Sequence, residues 1–241
     1  MRLSYRLETV ASFVDKGSIA ADVGTDHGYI PICLVERGIC PAAIGMDVRE
    51  GPLLRAREHI REHGLESVIQ TRLGDGLARL EPGEADTVVI AGMGGELIIR
   101  ILEGGKRLWD SVESWILSPQ SELEKVRLFL WENGFETFKE AMVEEDGKYY
   151  TVMKCRRAAA DGSPAAAPTP AQLKYGRILL EKGDPVLKAY LEKEIGQLEA
   201  IGERLRNSGT DKAKRRLAEL KEEQKTAEEA YHEVQRHYTD S

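Results

Sequence analysis

The sequence is poor in cysteine and contains no long apolar run. Its three cysteines, Cys33, Cys40 and Cys155, are far apart, and no two form the C-x-x-C spacing of zinc or dithiol sites. No apolar stretch reaches the roughly 20 residues that a membrane-spanning helix requires. Residues 1–14 are amphipathic and lack the continuous apolar centre of a signal peptide. We therefore expect ordinary thiols in a reducing cytoplasm, without export or membrane insertion.

Two hydrolase signatures are also missing. The chain contains neither the G-x-S-x-G turn of serine hydrolases nor the H-E-x-x-H pattern of zinc peptidases. His59 and His63 stand four residues apart on a predicted helix, which is a spacing that can bind a metal. Because no H-E-x-x-H motif accompanies them, we interpret both as solvated and expect no metal site.

Positive charge is scarce as well. The chain has 34 Lys and Arg against 41 Asp and Glu, which gives a formal net charge of -7. Phosphate binding depends largely on Lys and Arg, so this balance argues mildly against a nucleic-acid partner. Most of the acidic excess lies in residues 1–157. Any surface for RNA must therefore be a local basic stripe.

Residues 1–157 alternate apolar strands with helical patterns. This alternation indicates an α/β domain in which helices cover a mostly parallel sheet. After a helix at residues 3–14, the predicted strands are 19–23, 43–48, 68–73, 87–91 and 114–117. The second predicted helix ends at Gly38. Three further helices are predicted at residues 51–63, 96–103 and 122–132. Residues 135–143 and 149–155 are predicted to close the sheet as an antiparallel hairpin.

The rest of the chain predicts a different kind of domain. Residues 158–171, AAADGSPAAAPTPA, have no apolar periodicity and are expected to form a linker. In residues 172–241, apolar positions recur every three or four residues in two series, separated by Asn207-Ser208-Gly209-Thr210. We predict an antiparallel coiled-coil hairpin, which could bind a substrate or only dimerise or brace the first domain.

The densest chemical signal is residues 22–31, DVGTDHGYIP, at the end of the first predicted strand. Gly24 and Gly28 permit a tight turn and close approach to a ligand, and the next helix offers free N–H groups. Asp26 takes the middle position of the G-x-G-x-x-G pattern, where its carboxylate would repel a pyrophosphate. S-adenosylmethionine carries an ammonium and a sulfonium instead of phosphates. Asp22 and Asp26 therefore favour this methyl donor over a dinucleotide.

Two further acids follow the next two strands. Asp47 ends the second strand, where a carboxylate can accept both ribose hydroxyls of an adenosine. Asp75 follows the third strand, where methyltransferases bind the adenine amino group, and Gly76 beside it leaves room for the ring. Each acid alone could be a helix cap or a turn residue. Because all three strand ends meet at one sheet edge, we interpret the acids as one cofactor site.

Six segments together resemble the bacterial TrmK family, the tRNA (adenine-N1)-methyltransferases that modify position 22. They are LSYRL (3–7), DVGTDHGYIP (22–31), GMDV (45–48), GDGL (74–77), AGMGGELI (91–98) and LSPQ (117–120). The resemblance spans nearly the whole chain, including the C-terminal hairpin. It implies a class I methyltransferase with a Rossmann-like, mostly parallel seven-stranded sheet, S-adenosylmethionine as cofactor and tRNA as substrate.

The resemblance also implies site residues. Gly92, Met93 and Gly94 follow the fourth strand as catalytic candidates, where backbone groups can approach the purine and Met93 can pack on its face. The alternative is a turn that only starts the next helix. The candidate cofactor-binding residues are Arg6, Asp22, Gly24, Thr25, Asp26, His27, Gly28, Asp47, Val48, Asp75, Gly76 and Gly92. Arg6 suits either the donor's carboxylate or a tRNA phosphate, and His27 either a ligand or a cap.

Adenine N1 has a lone pair and no proton at neutral pH, so its attack on a sulfonium methyl needs positioning more than a general base. Because N1 lies on the Watson–Crick edge, the adenosine must be turned outward to react. The best basic clusters for tRNA phosphates are Lys174, Arg177, Lys182, Lys188 and Lys193, and at the hairpin tip Arg204, Arg206, Lys212, Lys214, Arg215 and Arg216.

Two other functions fit the residues. One is a methyltransferase that acts on a small molecule or a protein and uses the hairpin only to dimerise. The other is a non-catalytic adaptor that keeps a cofactor-binding domain and docks partners through its coiled coil. The sequence is compatible with a monomer or a homodimer.

Overall fold

The computed structural model describes residues 2–158, 166–208 and 210–239. The chain divides into two compact units, Met1–Ala166 and Ala167–Ser241. Within the described ranges, no helix is both long enough and apolar enough to cross a membrane.

The first unit alternates strands with helices, as the sequence predicts. Its first five strands are β1 (Ala20–Val23), β2 (Ala43–Asp47), β3 (Ile69–Leu73), β4 (Thr87–Ala91) and β5 (Ser114–Ser118). Its helices are α1 (Tyr5–Ala11), α2 (Tyr29–Glu36), α3 (Glu50–Glu62), α4 (Gly95–Gly104) and α5 (Leu123–Glu132). A hairpin of β6 (Phe135–Glu145) and β7 (Lys148–Arg157) follows.

Helix α1 is shorter than the predicted residues 3–14. It begins at Tyr5 because Ser4 caps it, with the Ser4 hydroxyl accepting a hydrogen bond from the Leu7 N–H at 3.4 Å. Its C-cap is Ser12, where the hydroxyl donates to the Thr9 carbonyl at 2.7 Å. Local polar side chains therefore set both ends, although apolar spacing continues beyond them.

The seven strands form one sheet in the order β3-β2-β1-β4-β5-β7-β6. Strands β1 to β5 are mutually parallel, whereas β7 pairs antiparallel with β5 and with β6. The fold class predicted from the sequence is confirmed. The strand order reverses between β1 and β4, and open α/β sheets bind ligands at such a switch point, beyond the carboxyl ends of the strands.

Alternate residues of the central strands feed two apolar layers. On one face, Val88 and Ile90 pack with residues of α4 such as Ile98. On the other, Val89 and Ile116 pack with Val10 of α1 and with α2. Full burial of such side chains contributes roughly 1.5–3 kcal/mol each, so the strands are held firmly while their carboxyl ends stay free for a site.

The second unit is helical, with α6 (Pro170–Tyr175), α7 (Arg177–Glu181), α8 (Pro185–Ser208) and α9 (Asp211–Thr239). Helix α6 begins inside the predicted linker 158–171, of which 159–165 lie outside the described residues. The reason is a capping box, in which the Thr169 hydroxyl accepts from the Gln172 N–H and the Gln172 side chain accepts from the Thr169 N–H. The two short helices α6 and α7 were not predicted.

Helices α8 and α9 form the predicted antiparallel hairpin. Tyr238 donates a hydrogen bond to the Gly183 carbonyl at 2.8 Å, and Tyr231 donates to Glu192 at 3.2 Å. The later residue of α9 therefore pairs with the earlier position, just before the start of α8, which shows that the two helices run in opposite directions. The buried residues of the two helices include Leu187, Leu191, Leu198, Ala213, Leu220, Ala227 and Val234.

Candidate functional site

The loop after β1 folds back onto the end of β2. The N–H groups of Gly24 and Thr25 both donate to the Met46 carbonyl, at 2.7 and 2.8 Å. The Thr25 side chain is buried against Gly45, where an added Cβ would lie only 3.1 Å from the Thr25 methyl. Gly28 then caps α2 in the left-handed conformation, with φ of 69°. The predicted glycine loop therefore opens a helix at the switch point, as the sequence indicates.

The three predicted acids lie at neighbouring strand ends. Asp22 and Asp47 are buried on β1 and β2. Asp47 accepts a hydrogen bond from the Arg49 N–H at 2.7 Å, and its carbonyl accepts from the Gly74 N–H at 3.0 Å. This second bond brings the loop that carries the exposed Asp75 to the end of β2. The acids thus line one edge, formed by β3, β2 and β1.

Asp22 has a perturbed acidity. Burial raises its pKa to about 6, the Thr25 hydroxyl opposes this shift, and the negative charge of Asp47 adds to it. A cation placed at this edge would stabilise the ionised form of both carboxylates. The electrostatics therefore favour a positively charged ligand.

Asp26 and His27 are directed toward α3. Asp26 is exposed and forms an ion pair with Arg55 at 3.3 Å. The His27 carbonyl accepts a hydrogen bond from His59 Nδ1 at 2.9 Å, and its ring stacks on Tyr29 with centroids 5.1 Å apart. His27 is also held in the left-handed region at φ of 59°. These contacts give both residues a role in fixing the loop.

His59 and His63, which the sequence predicts to be solvated, both have partners within the chain. His63 Nδ1 lies 2.5 Å from a carboxylate oxygen of Glu36, and His59 Nδ1 lies 2.9 Å from the His27 carbonyl oxygen. In the described parts of the chain, no cluster of three His, Cys, Asp or Glu side chains could hold a metal ion.

The glycines after β4 have different tasks. Gly94 caps α4, and the Gly95 N–H donates to the Ser121 carbonyl at 3.1 Å. A Cβ at Gly95 would lie 2.6 Å from that carbonyl oxygen, so this position requires glycine for packing. The methyl group of Met93 occupies the space over Gly24, where an added Cβ would overlap it. The interpretation of a turn that starts the helix thus describes Gly94 and Gly95.

Gly92 is different, because it leaves a gap that side chains surround. It has φ of 81°, and a Cβ there would lie 3.5 Å from Arg6 Nη1 and 3.9 Å from Gln120 Nε2. Arg6 is held by its N–H, which donates to Glu145 at 3.2 Å, and its guanidinium lies 5.1 Å from the centre of the Tyr150 ring. The gap is therefore lined by polar groups.

Several buried polar atoms at this edge lack a hydrogen-bond partner among the described residues. Among them are Arg6 Nη1, His27 Nδ1 and Ser118 Oγ. Leaving a buried polar group unmatched costs about 1–3 kcal/mol, so such atoms are well suited to contact a bound ligand or water. A guanidinium on one side and buried carboxylates on the other match a zwitterion, such as the amino-acid moiety of S-adenosylmethionine.

Comparisons with known proteins agree with this geometry. A family described as a methyltransferase domain matches residues 3–153. The chain is 34% identical over 221 residues to the Bacillus subtilis tRNA (adenine(22)-N(1))-methyltransferase, covering 91% of this chain and 93% of that relative. The chain belongs to the TrmK family of methyltransferases. The predicted family resemblance is thereby confirmed.

Solved structures of the family share the fold. The B. subtilis m1A22 tRNA methyltransferase TrmK is 33% identical, with a TM-score of 0.83 over 95% of this chain and 99% of that chain. The Streptococcus pneumoniae protein Sp1610 in complex with S-adenosyl-L-methionine is 35% identical, with a TM-score of 0.83 over 95% of this chain and 100% of that chain.

Sequence reasoning did not assign roles to Ser118, Gln120 and Tyr150. The segment LSPQ signalled the first two as part of the family pattern, but nothing in its spacing showed that both residues would lie beside Gly92. Tyr150 lies in the closing hairpin, which was treated only as a sheet element. Long-range packing alone brings these side chains together.

The predicted basic clusters differ in how far their charge is compensated. Lys174 pairs with Glu194 at 3.0 Å, and Arg177 pairs with Glu181 at 3.0 Å. Arg216 at the hairpin tip is bound by Glu219 and Glu223. Lys214 pairs with Asp211 at 2.9 Å, and the remaining exposed cations of the tip are Arg204, Arg206, Lys212 and Arg215. Of the two clusters, the tip is therefore the better surface for phosphates.

Proposed function

We propose that the protein transfers a methyl group from S-adenosylmethionine to N1 of adenine 22 in tRNA. The observation that carries the proposal is the combination, at one sheet edge, of buried Asp22 and Asp47 with the unmatched guanidinium nitrogen of Arg6. The B. subtilis relative has this activity in its name, and the chain matches it over nearly its full length. tRNA as substrate implies a cytoplasmic reaction.

Each part of the donor has a matching residue. Asp22 stabilises its positive charges, Asp47 accepts its ribose hydroxyls, and Asp75 binds the adenine amino group. Arg6 Nη1 donates to the carboxylate, which satisfies a buried atom that lacks a partner among the described residues. Val48 is 61% exposed at the end of β2 and offers an apolar face to the adenine ring.

Asp26 and His27 support the loop in this proposal. Asp26 pairs with Arg55 at 3.3 Å, and the backbone of His27 is tied to His59. Gly24, Thr25 and Gly28 shape the same loop, so that its backbone can approach the donor closely.

The reaction depends mainly on how the chain positions the methyl donor and the target base. S-adenosylmethionine, when bound, supplies a methyl group on a sulfonium. The nucleophile, adenine N1, has a lone pair and no proton at neutral pH, so no side chain must remove one. In this proposal Gly92 and Met93 face the base while Gly94 caps the helix that follows them, and holding the base in line gives most of the rate.

The test is incubation with methyl-labelled S-adenosylmethionine and bulk unmodified tRNA, followed by nucleoside analysis. We expect the label in 1-methyladenosine. An Arg6→Met variant should give much less product at low donor concentration. Label in another nucleoside, or none in RNA, would contradict the proposal.

A further inference from the structure

The ends of β4 and β5 are locked together around Gly92. The Gly92 N–H donates to the Ser118 carbonyl at 3.1 Å, and the Gln120 N–H donates to the Met93 carbonyl at 2.8 Å. These two backbone bonds hold the loop after β4 against the end of β5 and the residues that follow it. The Gln120 side chain therefore starts from a fixed point, and its amide nitrogen lies 3.9 Å from where a Cβ at Gly92 would be.

Polar groups near this gap are left without partners. Ser118 is only 1% exposed, and its hydroxyl has no hydrogen-bond partner within the described ranges. Register pairs Ser118 with Ala91, directly before Gly92. Arg6 Nη1, also unmatched, lies on the other side of the gap. A gap bounded by polar atoms of this kind suits a polar ligand beside the Gln120 amide.

The amide of a glutamine matches one edge of adenine. Its oxygen accepts from the N6 amino group, and its nitrogen donates to N7, as in recognition of adenine in nucleic acids. Both atoms lie on the Hoogsteen edge, which leaves N1 free. Guanine presents two acceptors there, O6 and N7, and a single amide cannot donate to both while using its oxygen.

We propose that Gln120 is the residue that selects the target base, with its side-chain amide bound to N6 and N7 of the outward-turned adenine. This assignment rests on the proposed function and names the base-reading residue of that same site. Arg6 is then committed to the donor. Gln120 keeps adenine in the orientation in which N1 faces the methyl group.

The test combines a variant with an altered base. Native enzyme and Gln120→Ala are compared on a tRNA carrying adenosine at position 22 and on one carrying 7-deazaadenosine there, which lacks the N7 acceptor. We expect Gln120→Ala to lower kcat/KM on adenosine about 10- to 100-fold, the loss of one bidentate base contact. For the native enzyme, kcat/KM should be lower on the 7-deazaadenosine tRNA than on the adenosine tRNA, by less than this 10- to 100-fold factor. For Gln120→Ala, kcat/KM should be nearly the same on both tRNAs.

Two controls separate base reading from misfolding. The affinity for S-adenosylmethionine should be unchanged in Gln120→Ala, since its backbone bond to Met93 is kept. Gln70 is an exposed glutamine on β3, and Gln70→Ala should have the same kcat/KM as the native enzyme on both tRNAs. If 7-deazaadenosine lowers kcat/KM equally for the native enzyme and for Gln120→Ala, the assignment of Gln120 is wrong while the proposed function stands. A native enzyme that methylates neither tRNA would overturn the proposed function together with it.

Discussion

Asp22 shows how the site opposes the stability of the fold. The sheet buries this carboxylate on β1, close enough to Asp47 that their charges repel, and its pKa rises to about 6. Above this pH the folded protein holds a buried negative charge that the unfolded chain would expose to water. In the proposed site a bound cation would stabilise that charge, so the burial that lowers the stability of the fold would strengthen binding of the donor.

The pKa of Asp22 predicts a pH-dependent stability with a definite sign. Between about pH 4 and about pH 6 the folded state binds more protons than the unfolded state, so the free energy of unfolding falls as pH rises. Asp22→Asn removes this contribution. Urea unfolding measures the free energy of unfolding of the variant relative to that of the native protein. From pH 4 to pH 7 this difference should move in favour of the variant by up to about 3 kcal/mol. A difference that does not change with pH would contradict the buried charge.

Arg6 predicts a selective loss of donor affinity. Arg6→Met keeps an unbranched apolar stem but shortens the side chain and removes its charge, and a charge-assisted bond to a carboxylate contributes about 1.5–3 kcal/mol. We expect calorimetry to show about 10- to 100-fold weaker binding of S-adenosylmethionine. Binding of decarboxylated S-adenosylmethionine should hardly change. The exposed Arg2→Met serves as the control variant. Equal losses for both ligands would place Arg6 elsewhere in the site.

At the scale of elements, short β-branched runs and helix periodicity were enough to predict the strands and helices of the sheet domain. The strand Thr87–Ala91 agrees with the prediction at both ends, because TVVIA is apolar throughout and turn residues flank it. The short helices α6 and α7 could not be predicted in this way. They depend on the capping box at Thr169 and on packing within the second unit, and Ala/Pro-rich composition concealed both.

The glycine run after β4 shows a second limit of the sequence. Gly92, Gly94 and Gly95 look equivalent there, yet only at Gly95 would an added Cβ meet the backbone of the neighbouring loop. That difference arises from β5 and the residues after it, far along the chain. The sequence could therefore place the candidate site at this turn without dividing its tasks.

Substitutions should separate these tasks. At Gly95, an alanine Cβ would meet the Ser121 carbonyl oxygen at 2.6 Å, so Gly95→Ala should lower the free energy of unfolding by about 1–3 kcal/mol. At Gly92 the added Cβ has ordinary contacts and suffers mainly from φ of 81°, which costs about 1 kcal/mol. Gly92→Ala should therefore lose activity out of proportion to its stability. Chemical denaturation and kcat measured on both variants test this, and equal activity losses per kcal/mol would contradict it.

At the scale of the whole molecule, an acidic protein must use local charge to bind RNA. The tip of the helical hairpin collects exposed cations, whereas Lys174 and Arg177 are compensated by glutamates of their own unit. Net charge alone argued against a nucleic-acid partner. The distribution of charge along the two helices, visible in the sequence as basic runs, instead predicts a local surface for RNA at the tip.

The tip predicts a salt-dependent contribution to tRNA affinity. Replacing Lys212 and Arg215 with alanine in the full chain should weaken tRNA binding about tenfold and lower the slope of log affinity against log salt by about 1–2. Affinity for S-adenosylmethionine should stay unchanged. The charge-matched control replaces Lys221 and Lys225 farther along α9. If this control weakens tRNA binding as much as the tip variant, the tip is not the contact surface.

The position of methyl transfer tests the central claim most directly. A methyl group on N1 blocks Watson–Crick pairing, so reverse transcription stops at the modified base. Two unmodified tRNA transcripts, one with adenosine and one with guanosine at position 22, are incubated with the enzyme and S-adenosylmethionine. We predict a new stop at position 22 in the adenosine transcript only. A stop at another position, or the same stop in the guanosine transcript, would contradict the proposed reaction.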